Sequence, residues 1–439
     1  MLRKVLLLVI ASLAMVIGVA SAQDEPLKIG LLTDESGALS IYGYELDYGF
    51  HLGLLYAAGI DPLEYDSVED AMADVTIAGR SVEVIIRDNG SDPAVAAEQA
   101  RELIEAEGVE ILVGAPSSGV TAGLQQVALD NDVMLFAAPG ASPTITGAGF
   151  NTNTVRVCRN TFQDFLAFVP YATEEIGTNF VQLVADYDFG RASAEASEAV
   201  LGAAGITFVQ ESIYAPLETS DFTPYLQEVL NSGADALLPI WAGDTTIALF
   251  QQIDELGVAD EMAVVAAFNS NDIVAVSDPS TIGNVSWMVY HHSFPQTDAN
   301  DWMVERHVAL YPNPITGAVD YPDLFTACGF ATAQAVHMAL TATEGDTLPE
   351  AIIPVIEGMV FESPKGTTYI RPSDHQALVP MYVAQLDNLD SEEFAFYTLL
   401  QEISPFETMP PCLLPEEMQE RCALDEAFLE EVMMDMEEE

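Results

Sequence analysis

Short apolar runs alternate with longer amphipathic stretches, and this alternation restricts the fold more than any other feature of the sequence. In the first round, runs of strand length lie at Leu27–Leu32, Val82–Arg87, Ile111–Val113 and Val133–Ala137, and helical stretches lie at Tyr44–Ala58, Asp92–Gly108 and Ser118–Asn131. Strands that alternate with helices at this spacing form a parallel sheet with helices on both faces. The sequence therefore predicts the α/β class.

The alternation starts again after residue 160. Predicted strands at Phe180–Ala185, Ile206–Gln210, Ala236–Ile240 and Met262–Phe268 are separated by stretches at Phe162–Ile176, Arg191–Ala204, Phe222–Ser232 and Thr245–Leu256. Beyond residue 286 come a strand at Trp287–His291, helices near Asn300–Tyr311 and Pro322–Thr343, a stretch at Glu350–Gly358 and a last strand at Val379–Gln385. Two α/β units of similar size are therefore expected in tandem.

The first 22 residues have the pattern of a secretory signal peptide. Arg3 and Lys4 precede an apolar run at Val5–Val19, and Ala20-Ser21-Ala22 supplies a small-residue cleavage site. A membrane anchor is the alternative, but the run is shorter than the ~20 residues that span a bilayer. No cysteine stands at the cleavage site for a lipid anchor. We therefore expect a periplasmic or extracellular protein.

The charge is strongly acidic, with 69 Asp and Glu against 13 Lys and Arg and a formal net charge of −56. Nucleic acid is excluded as a partner, since binding phosphates requires clustered cations. Residues 401–439 carry 13 acidic residues against Arg421 alone. We interpret them as an acidic C-terminal tail, an appendage that is ordered at most around Cys412 and Cys422 and frays beyond.

Four cysteines in an exported chain permit disulfides in three pairings. Local spacing favours Cys412 with Cys422, which leaves Cys158 with Cys328. The alternative for Cys158 and Cys328 is two buried thiols. No cysteine spacing is typical of zinc, so the sequence predicts no metal site.

Hydroxyl groups follow two neighbouring strands of the first unit. Ser117 and Ser118 follow the third predicted strand and begin a helix, whereas Gly140 and Ser142 follow the fourth. Ligands of open parallel sheets collect at the carboxyl ends of strands, where helix N-termini offer unpaired N–H groups. The pattern predicts a site for a carboxylate. The alternative is that Ser118 and Ser142 only cap a helix and a turn.

Two other functions fit parts of the sequence. Ser118 lies in a variant of the hydrolase nucleophile elbow, with Asp374 and His375 downstream. Adjacent Asp and His residues argue against a secreted serine hydrolase, because the carboxylate of a triad must reach the far ring nitrogen of the histidine. An exported adhesin or surface protein that uses the acidic tail for contact is the third possibility, and it predicts no saturable small ligand.

Eight segments, taken in order, resemble the leucine/isoleucine/valine-type periplasmic binding proteins, the receptors of branched-chain amino-acid ABC transporters. They are residues 31–37 with Tyr42-Gly43, 88–93, 113–118, 139–143, 156–160, 186–190, 241–244 and 371–376. The resemblance covers Leu27–Leu386 and leaves the acidic tail unmatched.

The resemblance implies a type I periplasmic binding fold, with two doubly wound parallel-sheet lobes joined by a hinge that the chain crosses three times. The N-terminal lobe is expected to comprise residues 24–153 and 290–357, and the C-terminal lobe residues 154–289 and 358–400. A small ligand closes the cleft, and the closed form docks on a membrane permease. We expect no cofactor, no catalysis and a monomer.

The resemblance also implies which residues bind the ligand. Ser118 and Ser142 correspond to the hydroxyls on the ligand carboxylate, with backbone groups of Gly140 and Ala141 nearby. Aromatic walls come from Tyr42 and Phe189, one from each lobe, and Trp241 and Asp244 complete the second lobe; core packing is the alternative for Phe189 and Trp241. Amino-acid binders carry a glutamate for the ligand ammonium where this chain has Phe268-Asn269.

The ligand is accordingly expected to be an amino acid, branched-chain or related. Asp244 or Asp186 would replace the missing glutamate, because an ammonium group in a closed cleft needs a paired charge. If neither does, the alternatives are an amide, urea, or an aromatic or organic acid.

Overall fold

The computed structural model describes residues 25–438 apart from residues 268, 269, 315 and 316. The predicted signal peptide and Asn269 therefore lie outside the described residues. Within the described part, none of the helices has the length and apolar character that crossing a membrane requires.

The first unit contains a six-stranded sheet in the order β2-β3-β1-β4-β5-β6, parallel except for β2 with β3. Its strands are β1 (Leu27–Thr33), β2 (Thr76–Ile77), β3 (Arg80–Asp88), β4 (Ile111–Gly114), β5 (Met134–Ala137) and β6 (Thr154–Arg156), and its helices are α1 (Gly43–Ala58), α2 (Val68–Met72), α3 (Pro93–Glu105) and α4 (Ser118–Asp130). The Asp92 carboxylate caps α3 by accepting from the N–H groups of Ala94 and Val95, as the Asp-Pro pair predicts. Apolar clusters cover both faces of the sheet.

The second unit contains a sheet in the order β11-β10-β7-β8, with β9 also paired to β7, and all of its pairs are parallel. Its strands are β7 (Asn179–Ala185), β8 (Thr207–Phe208), β9 (Ile213–Ala215), β10 (Ala236–Ile240) and β11 (Ala263–Val264), and its helices are α5 (Thr161–Tyr171, continued by a π-helical turn at Ala172–Ile176), α6 (Asp188–Ala203), α7 (Thr223–Asn231), α8 (Thr246–Glu255), α9 (Val258–Glu261) and α10 (Asn271–Ala275). Two apolar clusters cover the faces of this sheet. The predicted α/β class and tandem arrangement are confirmed.

Two small antiparallel sheets complete the structure, in the orders β12-β16-β17 and β13-β14-β15. The remaining strands are β12 (Val285–Met288), β13 (Val360–Ser363), β14 (Gly366–Ile370), β15 (Ala377–Leu378), β16 (Met381–Leu386) and β17 (Tyr397–Ile403), and the remaining helices are α11 (Asp298–Leu310), α12 (Thr326–Ala342), α13 (Pro349–Ile356) and α14 (Leu424–Glu438).

Helix α12 returns the chain to the first unit by packing closely on α1. A Cβ atom on Gly49 would lie 2.1 Å from the carbonyl oxygen of Thr326, and one on Gly53 would lie 2.3 Å from that of Phe330. The two glycines let the helix backbones approach, because a side chain at either position would collide with main-chain atoms.

The segment β13–β15 also contacts the first unit. The N–H of Arg156 in β6 donates to the carbonyl oxygen of His375 at 3.0 Å, and Gln334 of α12 donates to that of Glu362 at 2.9 Å. The expected lobe boundary at residue 357 would assign β13–β15 to the second lobe, which does not match these contacts. Strand β16, by contrast, contacts α5 of the second unit and pairs with β12. We therefore propose a boundary near residue 380.

Two disulfides are present, Cys158–Cys328 and Cys412–Cys422. The first joins the segment between β6 and α5 to α12, and both of its cysteines lie in the main apolar cluster of the first unit. It therefore ties together segments 170 residues apart in sequence.

The acidic tail is part of the fold, and the expectation of an appendage that frays beyond Cys422 is wrong. Phe428 and Val432 of α14 are buried against Tyr369 and Leu378. The Asp425 carboxylate accepts from the N–H and hydroxyl of Ser373 at 3.1 and 2.8 Å. Two buried apolar side chains anchor the helix although its composition is acidic.

Candidate functional site

Three predicted serines lie in the loops that follow β4 and β5. Ser117 caps α4, its Oγ accepting from the N–H of Val120 at 3.4 Å. Ser118 Oγ accepts from the N–H of Ser142 at 3.1 Å. Ser142 Oγ lies 2.7 Å from Thr144 Oγ1. All three serines are buried, and the Ser118 hydroxyl joins the two loops to each other.

The cavity between the two units is lined by the residues beside these serines. Pro116, Pro139 and Ala141 contribute to its wall, whereas Ser117, Ser118, Ser142 and Gly140 do not. Gly140 lies behind the wall, where a Cβ atom would be 2.8 Å from Thr121 Oγ1. The structure brings Ser118 and Ser142 together beside the wall, and their contact with the ligand carboxylate stays a prediction. Each hydroxyl takes its partner from the opposite loop or the following turn.

The cavity comprises about 930 Å³ outside protein atoms, space open to solvent included. The first unit contributes Leu39, Tyr42, Pro116, Pro139 and Ala141; the second contributes Thr161, Asp164, Phe165, Tyr187, Phe189, Ser193, residues 238–242, Phe250, Ala266 and Ala267; and the segments outside the two units contribute Arg159, Trp287, Val289, Leu324 and Phe325. We call this cavity the interlobe pocket.

Aromatic side chains dominate the wall of the interlobe pocket. The predicted Tyr42, Phe189 and Trp241 all line it, together with Phe165, Tyr187, Phe250, Trp287 and Phe325. Tyr42 meets Phe325 edge to face at 4.9 Å. Such a wall favours a flat or bulky apolar ligand.

The two units meet at the rim of the pocket. The N–H of Gly243 donates to the hydroxyl of Tyr42 at 3.2 Å, and the N–H of Asp244 donates to the carbonyl oxygen of Ala38 at 2.9 Å. The hydroxyl of Ser40 donates to the Asp244 carboxylate at 3.3 Å. Asp244 therefore joins the lobes at the rim and is not among the residues that line the pocket, and its role as a ligand partner stays a prediction.

The charged groups in the pocket wall are Arg159 and Asp164. Arg159 Nε donates to Asp164 Oδ1 at 3.2 Å, and both side chains are almost fully buried. Among the described residues, Arg159 Nη1 and the hydroxyls of Thr161 and Ser193 are buried without a hydrogen-bond partner. Burial raises the pKa of Asp164 although Arg159 opposes the shift. The wall thus holds one ion pair and three unused polar groups.

Sequence reasoning missed this ion pair as a site. Arg159 was noted only as part of segment 156–160, which resembles the family, and Asp164 lies inside a stretch predicted as an amphipathic helix. The available signal was the scarcity of cations: Arg156 and Arg159 stand three residues apart between the two units of a chain with 13 basic residues. The other proposed ammonium partner, Asp186, pairs with Arg191 at the surface.

The residues of the hydrolase alternative do not form a triad. The Asp374 carboxylate pairs with Arg371, and His375 Nε2 lies 3.1 Å from Glu357 Oε1. The one hydrogen-bond partner of Ser118 Oγ on the described residues is the Ser142 N–H. Over the same residues, no cluster of three or more His, Cys, Asp or Glu side chains is arranged to hold a metal ion.

Two buried carboxyl groups support Phe325 from behind the pocket wall. Glu45 Oε2 accepts from the N–H of Phe325 at 2.7 Å, and Asp323 accepts from the N–H groups of Asn271 and Leu324 at 2.6 and 2.8 Å. Burial raises the pKa of Asp323 to about 8 and raises that of Glu45 well above its ordinary value. The charge of Asp323 further raises the pKa of Glu45, and the charges of Asp320 and Asp272 further raise that of Asp323, so the pair retains a proton near neutral pH.

Replacing Glu45 with glutamine should make stability less dependent on pH. The folded protein holds protons that the unfolded chain releases above about pH 4, so the free energy of unfolding falls as pH rises toward about 8. Glutamine keeps an acceptor for the Phe325 N–H and removes one titrating group. Thermal unfolding at several pH values should show a higher Tm than the unsubstituted protein near pH 8 and a shallower decline. Glu69→Gln, at an exposed position, is the control; parallel curves for all three proteins would contradict the assignment.

Comparisons with known proteins agree with this architecture. The family model described as periplasmic binding protein matches residues 26–392. A Leu/Ile/Val-binding protein homolog 6 of Brucella melitensis biotype 1 is 25% identical over 400 residues, covering 88% of this chain and 93% of the relative.

Solved structures show the same fold. An ABC-type branched-chain amino acid transporter protein of Rhodopseudomonas palustris CGA009 is 27% identical with a TM-score of 0.69, covering 89% of this chain and all of the other. A solute binding protein of an ABC transporter from R. palustris BisB5, solved with 3,4-dihydroxybenzoic acid, is 20% identical with a TM-score of 0.71, covering 87% and 98%. The fold is therefore that of a type I periplasmic binding protein, as expected. The chain belongs to the periplasmic binding proteins of the branched-chain amino-acid type, and it is a solute-binding receptor of an ABC transporter.

Proposed function

We propose that this receptor acts outside the cytoplasm as a monomer, closes its interlobe pocket around a small aromatic carboxylate and delivers it to an ABC permease. The observation that supports this ligand class is the combination of eight aromatic side chains with the unused Nη1 of Arg159 in one buried wall. An aromatic body packs against such walls, and a guanidinium group binds a carboxylate through charge-assisted hydrogen bonds.

The hydroxyls of Thr161 and Ser193 extend the polar part of the site. Both are buried in the pocket wall, and both lack a partner among the described residues. Hydroxyl or carboxylate groups on an aromatic ring would satisfy them, and a buried polar atom without a partner is costly. The dihydroxybenzoic acid bound to the R. palustris BisB5 protein belongs to this class.

A branched-chain amino acid is the second candidate. Asp164 lies in the wall and its carboxylate is a possible partner for an ammonium group, and the Brucella relative is named for leucine, isoleucine and valine binding. The pairing of Asp164 with Arg159 argues against this ligand, since the carboxylate already has a cation beside it. We therefore place the aromatic acid first.

Calorimetric titration with benzoate, 3,4-dihydroxybenzoate and leucine tests the proposal. We expect one of the two aromatic acids to bind more tightly than leucine. Arg159→Met should weaken its binding by at least about 30-fold, because truncating one partner of a buried charge pair costs about 2 kcal/mol or more. Binding of leucine alone would support the second candidate instead.

Two further variants separate loss of the contact from general effects. Arg159→Met/Asp164→Asn avoids a buried carboxylate without a partner, so weak binding by both the single and double variants assigns the effect to the guanidinium. Arg191→Met removes a cation at the surface of the second lobe and should leave the affinity unchanged. If Arg159→Met binds as tightly as Arg191→Met, the proposed role of Arg159 is wrong.

A further inference from the structure

A second, smaller cavity adjoins the interlobe pocket. The two share Arg159, Val289, Leu324 and Phe325 as a common wall. The second comprises about 370 Å³ outside protein atoms on the same measure that gives about 930 Å³ for the first. Its far side is mostly apolar and includes the Cys158–Cys328 disulfide. It is the smaller of the two cavities, with less than half the volume of the first.

Lys365 brings a positive charge into the wall of this cavity. It lies in the turn between β13 and β14 and is 8% exposed. Its Nζ is 4.0 Å from Met381 Sδ and 5.3 Å from the centre of the Tyr382 ring. No carboxylate of the described residues lies within 4.0 Å of that nitrogen. The ammonium group is thus buried against weak partners only.

Arg159 brings a second positive charge to the same cavity. Asp164 pairs with its Nε, but Nη1 has no partner on the residues that the structure describes. Burial lowers the pKa of Lys365 to about 7, and the charge of Arg159 lowers it as well, whereas the charges of Asp164 and Glu402 oppose the shift. Ser363 and Thr368 already bond to each other at 3.0 Å. Two cations therefore line a small chamber whose lining residues include no carboxylate.

We propose that the second cavity binds a small monovalent inorganic anion, of the chloride class, between the Lys365 ammonium and the Arg159 guanidinium. A buried charge without a partner is costly, and an anion supplies the missing counter-charge and hydrogen-bond acceptor. The other lining residues are mostly apolar, so the wall offers the two cations no other counter-charge. The site shares the Arg159 guanidinium with the proposed ligand site, so it is tested on ligand-free protein, and the inference does not rest on the identity of the transported ligand.

Thermal unfolding of the ligand-free protein at pH 6, at constant sodium concentration, tests the site in solution. Replacing gluconate by chloride should raise Tm by about 2 °C or more, because an anion that binds only the folded state stabilises it. A constant sodium concentration keeps the general screening of the acidic surface the same in both salts. Lys365→Met should abolish the chloride-specific rise. Lys28→Met is the matched control, since Lys28 Nζ donates to the carbonyl oxygen of Glu107 in the first unit, and it should keep the rise.

Anomalous diffraction from crystals of the native protein grown with bromide locates the ion independently of any variant. A peak between Lys365 and Arg159 is expected. A chloride-specific rise that Lys365→Met retains, or bromide peaks at other positions only, would mean a surface ion and would overturn the proposal. An equal Tm in chloride and gluconate with no peak in the cavity would also overturn it.

Discussion

Replacing Gly243 with alanine should prevent full closure of the lobes and weaken ligand binding by about 100-fold. A loss of this size corresponds to a closed form that is populated at about 1%. Gly243 has a φ of +90°, and a Cβ atom there would lie 2.2 Å from the carbonyl oxygen of Ala38 and 3.0 Å from Leu39 Cδ2 in the opposite lobe. A main-chain oxygen cannot rotate away as a side chain does, so the lobes must separate. Titration calorimetry would measure the affinity, and small-angle scattering with saturating ligand would measure the closure.

Gly233→Ala is a matched control for this substitution. Gly233 has a φ of +75° in the same lobe, and a Cβ atom there meets nothing within 4 Å. Both variants carry the backbone strain of a left-handed alanine, but only the change at Gly243 collides across the cleft. We expect Gly233→Ala to lose stability and keep its affinity. Equal affinities for the two variants would show that the contact between Gly243 and Ala38 does not limit closure.

The elements that the sequence predicted well are those whose signal is local. The apolar run at Leu27–Leu32 became β1 because both faces of a central parallel strand are buried. The segment β13–β14 was missed, since the exposed Val360 and the buried Ser363 do not follow hydrophobicity, and its burial depends on residues distant in sequence. Helix α14 was missed because its charge dominates its composition, whereas two buried side chains decide its packing.

The residues of the pocket show the same difference between local and distant signals. Positions at strand ends were predictable, so Tyr42, Phe189 and Trp241 do line the wall. Side-chain directions were not predictable, because they depend on the packed loops: Ser118 Oγ accepts from the Ser142 N–H of the other loop, whereas Ser142 Oγ pairs with Thr144 in its own loop. The pairing of Arg159 with Asp164 depends on the turn into α5, which brings residues five positions apart into contact.

One buried cation organises the loop that carries the pocket wall. Arg156 is fully buried, and its guanidinium donates to the carbonyl oxygens of Gly140 and Ser142 at 3.2 and 2.6 Å, to Thr146 Oγ1 at 2.6 Å and to Gln376 Oε1 at 2.7 Å. These bonds tie the loop after β5 to the loop after β14. The position of Pro139 and Ala141 in the wall therefore depends on a residue that does not itself reach the pocket.

Replacing Arg156 with methionine should reduce the free energy of unfolding by about 3–5 kcal/mol, among the largest effects that a single substitution produces. Methionine fills part of the volume but takes this donor from four buried acceptors. Gln376 Oε1 and the Ser142 carbonyl oxygen keep another donor, whereas the Gly140 carbonyl oxygen and Thr146 Oγ1 keep none, and each such group costs about 1–3 kcal/mol before relaxation. Urea unfolding measures the change. Arg101→Met, at an exposed position of α3, is the control and should stay within about 0.5 kcal/mol of the unsubstituted protein. A loss below about 1 kcal/mol for Arg156→Met would mean that water or a rearranged loop satisfies the acceptors that lose their donor, and the network would then not hold the wall in place.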